Sequence, residues 1–469
     1  MRTFGGECFM AKSQNNDFST GPVWKRIVAQ AIPLTIAQLV HLLYNVVDRV
    51  YLGHMGGDSM ALTGVGLTFP VVTLIMAFTA LFGVGGVPLF SIERGAGNEE
   101  KAGKILGNSF ALLLGSSVIL TAVGYLFMKP ILFAFGASEA SFVYARDYLN
   151  LYLTGTVFSM LSTGLNGYIN AQGFPKVGMY SITIGAVCNI ILDPIFIFAL
   201  DMGVAGAALA TVISQAASAA WVLRFLLGKE ALIPLRRKNI AIRADITKEI
   251  CKMGTVNFIM QGTNCLVQVA CNTTLQTFGG DVYVGIMTVT NAVREIFSLP
   301  VSGIGSGAQP VIGYNYGAKQ YARVKAGIRF NTAAGFAYTA IAWLLMLLFP
   351  RFWFGIFSED ASIIEPGIQA LQIYFFGFVF QSFQFAGQTA FQALRDAKHA
   401  IIFSLLRKAV IVFPLTVLLP RLGFGVLGVF MAEPVSNVVG GLACYITMRL
   451  TVYKKIEKAI AVGETIRQT

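Results

Sequence analysis

Asp48 and Asp193 each sit inside a long apolar run, in VVDRVYLG and NIILDPIFIF. An acid within a membrane span costs on the order of 3 kcal/mol even on a lenient insertion scale, so it faces a bundle interior, a cavity or an ion path. Asn189 lies four residues before Asp193, on the same helical face, and Thr211 lies in the next run, GVAGAALAT. Two carboxylates brought together in a low dielectric cannot comfortably both ionise. Such a pair holds a proton or a monovalent cation, with the Asn189 amide and the Thr211 hydroxyl as neutral oxygen ligands. Asp48, Asn189, Asp193 and Thr211 are therefore a candidate coupling-ion site for H+ or Na+. Counted from the outer ends of their spans, Asp48, Asp193 and Thr211 fall in one layer about 7 to 12 Å deep at ~1.5 Å per residue, so they can meet. Pro33 and Pro194 each remove a helix hydrogen bond and are candidate hinges, Pro33 leaving the carbonyl of Ala29 without its partner.

The elements that must hold these groups are membrane helices. With 55% hydrophobic and 12% charged residues among 469, the chain carries about half the charge expected of soluble domains. The apolar segments are 27–53, 60–88, 105–128, 142–170, 178–200, 203–227, 249–277, 282–310, 327–349, 363–393, 399–420 and 424–449. The fold class is all-α and polytopic: twelve transmembrane helices in two six-helix lobes. The expected divisions are a cytoplasmic N-terminal segment 1–26, an N-lobe 27–227, a basic cytoplasmic linker 228–248, a C-lobe 249–450 and a cytoplasmic tail 451–469. With both termini cytoplasmic, about 29 of the 35 Lys and Arg fall on the cytoplasmic side and about 5 outside, leaving Arg294 within a span. Topology thus explains the net charge of +12, and nucleic-acid binding is not needed. The basic linker could also touch anionic lipid, although positive-inside retention suffices. The polar first 26 residues lack a secretory h-region, so the first span acts as an uncleaved anchor. Six cysteines without CxxC spacing read as buried small hydrophobes.

The halves repeat each other. Gly83, Gly85, Pro88, Gly95 and Ala96 recur as Gly305, Gly307, Pro310, Gly317 and Ala318, a constant offset of 222. An even number of spans per repeat places the pseudo-two-fold axis along the membrane normal, a transporter architecture. The acids break the symmetry: Asp48 corresponds to Cys271, the segment VIVFPL keeps Pro414 without an acid, and Thr211 corresponds to Glu433. Ion binding is thus expected in the N-lobe alone. Gln38 and Asn45 share a face with His41 and Asp48, while Gln261 and Gln268 on the seventh span and Gln384 and Gln388 on the tenth form neutral polar stripes. These stripes are either interhelical hydrogen-bond glue or the lining of a wide drug cavity. Glu433 and Glu295 could attract a cationic substrate, unless Glu295 is neutralised by a cation such as Arg294.

VVDRVYLGHMGG, NIILDPIFIF, GVAGAALAT and QPVIGYNYGAK together resemble the multidrug and toxic-compound extrusion (MATE) family, most closely its MepA-like bacterial branch, over all twelve spans. The resemblance implies a two-lobed antiporter of the bacterial cytoplasmic membrane that expels drugs and organic cations in exchange for H+ or Na+. It implies ion-binding roles for Asp48, Asn189, Asp193 and Thr211 and a bending role for Pro33. One branch carries acids in the seventh and tenth spans; this chain has none in the apolar interior of either, which argues against a C-lobe sodium site of that kind. No enzymatic activity, no cofactor beyond the coupling ion and a monomer in the lipid membrane are expected. The alternative is a lipid-linked oligosaccharide flippase of the same superfamily, which needs basic residues in its cavity where this sequence shows Arg294 alone. A nucleotide-driven pump is disfavoured because GNEEKAGKI does not fit the phosphate-loop spacing.

Overall fold

The structure, a computed structural model, describes residues 16–53, 59–356 and 361–468. These contain helices and connections, and no strand among the described residues. The first half of the chain forms α1 (Val23–Gly53), α2 (Ser59–Phe82), α3 (Glu99–Leu126), α4 (Glu139–Thr154), α5 (Thr156–Ala171), α6 (Pro175–Pro194) and α7 (Gly203–Leu227). The second half forms α8 (Ala244–Gly317), α9 (Tyr321–Leu348), α10 (Ala361–Phe375), α11 (Gln381–Ala393), α12 (Ala397–Leu405), α13 (Phe413–Leu419) and α14 (Leu427–Met448).

Nine stretches among the described residues are long and apolar enough to cross a membrane. Three further crossings read from the sequence fall outside that group for visible reasons. The fourth is broken at Gly155 into α4 and α5, 16 residues each. The seventh and eighth are fused in α8, 74 residues with a kink at Gly280, whose φ of 66° is a left-handed conformation that glycine adopts without a Cβ penalty. The seventh carries many amides, among them Asn257, Gln261, Asn264, Gln268 and Asn272, and both have few leucines, which lowers their hydropathy. The turn GGD at 56–58, which recurs as GGD at 279–281 around the Gly280 kink, lies outside the described residues. Large apolar side chains such as Val118, Ile119, Leu266, Leu348 and Phe376 are exposed, as expected of surfaces that meet lipid tails.

The chain divides into two compact units, but not at the linker. One unit comprises Met1–Asp17 and Ile36–Phe258, the other Phe18–Thr35 and Ile259–Thr469. The start of α1 therefore packs with the later helices and the start of α8 with the earlier ones, an exchange that repeats at nearly the interval of the sequence repeat. The repeated glycines explain how. In the first unit a Cβ on Gly85 would lie 2.6 Å from Gly254 Cα. In the second a Cβ on Gly307 would lie 2.7 Å from Ala31 N. At both places only a hydrogen lets the exchanged helix approach so closely. The basic linker is also not a loose tether. Its backbone is held within the first unit, Leu235 N–H donating to Leu226 O at 2.8 Å and Ile233 N–H to Gln172 Oε1 at 2.9 Å. Asn108 Nδ2 further donates to Arg243 O at 3.3 Å.

In the second unit a core of Phe354, Phe375, Phe378 and Phe430 fills the space between the helices. Of the cysteines, Cys271 and Cys444 are buried and Cys188 and Cys251 half-buried, whereas Cys265 is exposed, so the expectation of buried thiols fails for that one. Cys265 lies on α8 between exposed Asn264 and Leu266.

Candidate functional site

In the first unit the site is assembled by a widened helix. Pro194 has no N–H to continue the α6 ladder, and beyond it Ile195–Ala199 winds as a π-helix, a distortion that recurs at functional sites. The residues just before the break, Asn189 and Asp193, point one above the other from α6 and are 1% and 0% exposed. Gly206 lets α7 lie against the π-turn, since a Cβ there would meet Phe196 C at 2.7 Å. That approach puts Thr211 beside Asn189.

Asn189 Nδ2 donates to Asp193 Oδ1 at 3.2 Å and to Thr211 Oγ1 at 3.4 Å. The amide is thereby oriented, leaving Asn189 Oδ1 and Asp193 Oδ2 buried with no hydrogen-bond donor among the described residues. Half-buried Asp48, on α1, brings its carboxyl within hydrogen-bonding reach of Asp193. The four groups predicted from spacing thus converge. Buried acceptor oxygens without donors are costly in a low dielectric unless a proton or cation satisfies them. Tyr44 lies one turn before Asp48 on α1, and Tyr148 and Tyr152 on α4 are buried. Tyr148 also stacks on Tyr152 at 5.8 Å between ring centroids.

The other predicted cavity residues are scattered. Asn45 donates to His41 O of its own helix at 2.9 Å, and Gln38 is half-buried on α1. On α11, Gln388 Nε2 donates to Ala400 O at 2.9 Å, a bond between segments, and Gln384 is buried with Oε1 unsatisfied. Gln261 is half-buried, and Gln268 is exposed and donates to Asn272 Oδ1 at 3.2 Å. Among these glutamines only Gln268 lines the cavity of about 160 Å³ found in the second unit. Glu295 is exposed and does not line it.

Glu433 overturns an expectation. It is not a free negative charge for a cationic substrate. Arg407 donates to its Oε1 at 2.5 Å, and Lys408 Nζ donates to both carboxylate oxygens at 3.2 Å. Arg407 also donates to Asn437 Oδ1 at 2.7 Å. Arg407 and Lys408 belong to the π-helix Leu406–Val412 between α12 and α13. In an α-helix, adjacent side chains diverge by about 100°, and the wider turn lets both reach one carboxylate. The count of one intramembrane cation is corrected with it. These two residues lie in the apolar stretch Ala397–Phe424, roughly 15 Å from its start at 1.5 Å per residue, and are not loop charges.

A MatE family profile matches residues 33–195 and again 258–418. The chain belongs to the MatE family. The two matches fall on the two halves, as the internal repeat requires. The multidrug export protein MepA of Staphylococcus saprophyticus subsp. saprophyticus is 25% identical over 444 residues, 93% of this chain and 97% of MepA. A crystal structure of MATE in the bent conformation superposes with a TM-score of 0.89 at 23% identity, covering 96% of this chain and 99% of that one. A MOP superfamily transporter from Pyrococcus furiosus, described by the reverse polarity of its binding pocket, superposes with a TM-score of 0.86 at 24% identity, covering 95% and 99%. The MatE chain therefore has the twelve-helix, two-lobe fold and is a multi-pass membrane protein. In it, the tyrosines escaped the sequence reading because aromatic residues are abundant in membrane helices. The signal was the spacing: Tyr44 precedes Asp48 by one turn, and Tyr148 precedes Tyr152 likewise.

Proposed function

We propose that this MatE chain is a secondary active efflux antiporter that exports drug-like small molecules in exchange for H+ or Na+, with both termini cytoplasmic. The observation that carries the reading is the buried oxygen cluster of Asp48, Asn189, Asp193 and Thr211, with acceptor atoms left open at Asn189 and Asp193. At an effective dielectric of 20, two carboxylate charges 4 Å apart repel by roughly 4 kcal/mol. A shared proton or a sodium ion removes that repulsion. Its binding and release change the charge of the first unit by one, which is what an exchanger must link to a change of access. Oxygen donors of this type suit Na+ as well as H+. Pro33 and Pro194 supply the points where the flanking helices can flex. The name of the MepA relative supports drugs as cargo.

The test is ethidium efflux from loaded proteoliposomes under an imposed pH or sodium gradient. Efflux should accelerate with one of the two gradients and collapse when that gradient is dissipated. Efflux indifferent to both would remove the antiport reading. The flippase alternative gains one observation, since Arg407 and Lys408 now join Arg294 as cations within the spans. Transbilayer movement of a lipid-linked pyrophosphate probe, with ethidium efflux absent, is the result that would favour it.

A further inference from the structure

The cavity in the second unit is electrostatically one-sided. Arg294 and Lys408 line it, and Glu433 is the one acid among its lining residues. That acid is already engaged by Lys408 and, from behind, by Arg407. Three cations therefore have one carboxylate between them, which Arg407 and Lys408 touch, inside an apolar bundle where unbalanced charge is costly. The side chains of Arg407, Lys408 and Glu433 are only 11%, 13% and 5% exposed, so bulk water does little of the balancing. Arg294 Nε is buried with no hydrogen-bond acceptor among the described residues. Asn264, Gln268 and Asn291 add amide donors to the same lining. The volume, about 160 Å³, accommodates a carboxylate or phosphate group.

We propose that this cavity is an anion subsite that receives the carboxylate or phosphate group of a transported molecule or of a lipid, held by Arg294 and Lys408. Glu433 is its built-in counter-ion, keeping Arg407 and Lys408 positioned when the subsite is empty. A guanidinium beside an ammonium matches such oxyanions in both charge and donor geometry. A cargo that carries an anionic group is then held here in addition to the contacts any cargo makes, which deepens the export reading and rests on it.

The test uses the full-length protein in nanodiscs, phenyl phosphate as probe and benzyltrimethylammonium as a cation of similar size. Phenyl phosphate should raise the thermal midpoint saturably, and Arg294→Gln and Lys408→Gln should each raise its apparent Kd at least tenfold without weakening the cation. Nanodiscs of phosphatidylcholine, with and without phosphatidylglycerol, separate the two sources. Competition by phosphatidylglycerol assigns the subsite to a lipid head group, and unchanged affinity assigns it to a soluble anion. Binding needs no ion gradient, so failure here is distinguishable from failure of the antiport reading, which appears only in driven efflux. If a variant does not fold, a chain keeping Cys271 as its one cysteine gives a second measurement, because Cys271 lines the same cavity. A sulfonate-bearing thiosulfonate should modify it at least tenfold faster than a trimethylammonium analogue, and phenyl phosphate should protect it. Unchanged phenyl phosphate affinity in both variants, or faster modification by the cationic reagent, would overturn the proposal.

Discussion

At the scale of single residues, two clusters of similar cost have opposite sign. The acids of the first unit were legible because Asp48 and Asp193 interrupt apolar runs, and Asn189 sits at helical spacing from its partner. The cations of the second were not. Arg407 and Lys408 stand ten residues or so into a span whose starting end, beside Arg395 and Lys398, is itself basic, and a count by loops absorbs them. The consequence reaches Glu433. Glu433→Gln leaves two buried cations short of their counter-charge, which by comparison with broken buried pairs costs about 3 to 5 kcal/mol. We expect a large fall in thermal midpoint rather than a selective loss of cationic drugs. Adding Lys408→Met to Glu433→Gln should recover part of that stability, and a double variant no more stable than the single one would show that the pair is not coupled.

At the scale of elements, helix ends and breaks matter more than helix lengths. The spans read from apolar runs match the helices closely, because twenty or so apolar residues in lipid must satisfy their own backbone. The run alone did not show how the helices are interrupted. The π-turns at the two clusters each neighbour a proline: the one after Pro194 follows from its missing N–H, and the one at Leu406–Val412 contains the carbonyl of Val410, which Pro414 leaves without its i−4 donor. α1 passes through Pro33 without a break, yet the unit boundary falls between Thr35 and Ile36, half a turn later. Pro33 thus sits where the helix changes its packing partners, which suits a hinge. Restoring the backbone hydrogen bond with Pro33→Ala should stiffen that point, lowering the maximal rate of ethidium efflux severalfold while leaving its half-saturating concentration nearly unchanged. Equal changes in both would assign Pro33 a packing role only.

At the scale of the whole molecule, the repeat was legible from glycines at a fixed offset, and the family profile falls on both halves. The reason for those glycines was not. They serve an exchange in which the start of each half packs with the other half's helices, a fact of long-range contact that no periodicity carries. The repeat also frames the proposed functional division: one unit holds the buried oxygen cluster, and the other holds a cation-rich cavity. The central claim is that the oxygen cluster binds the coupling ion. The most direct measurement is cation-dependent binding or release by the purified protein, as proton release into weakly buffered solution and as sodium binding, for wild type, Asp48→Asn and Asp193→Asn. The account predicts a saturable signal with one of the two ions in wild type that disappears in both variants, together with gradient-driven ethidium efflux, while both variants still insert and fold. Wild-type ion binding in either variant would contradict it.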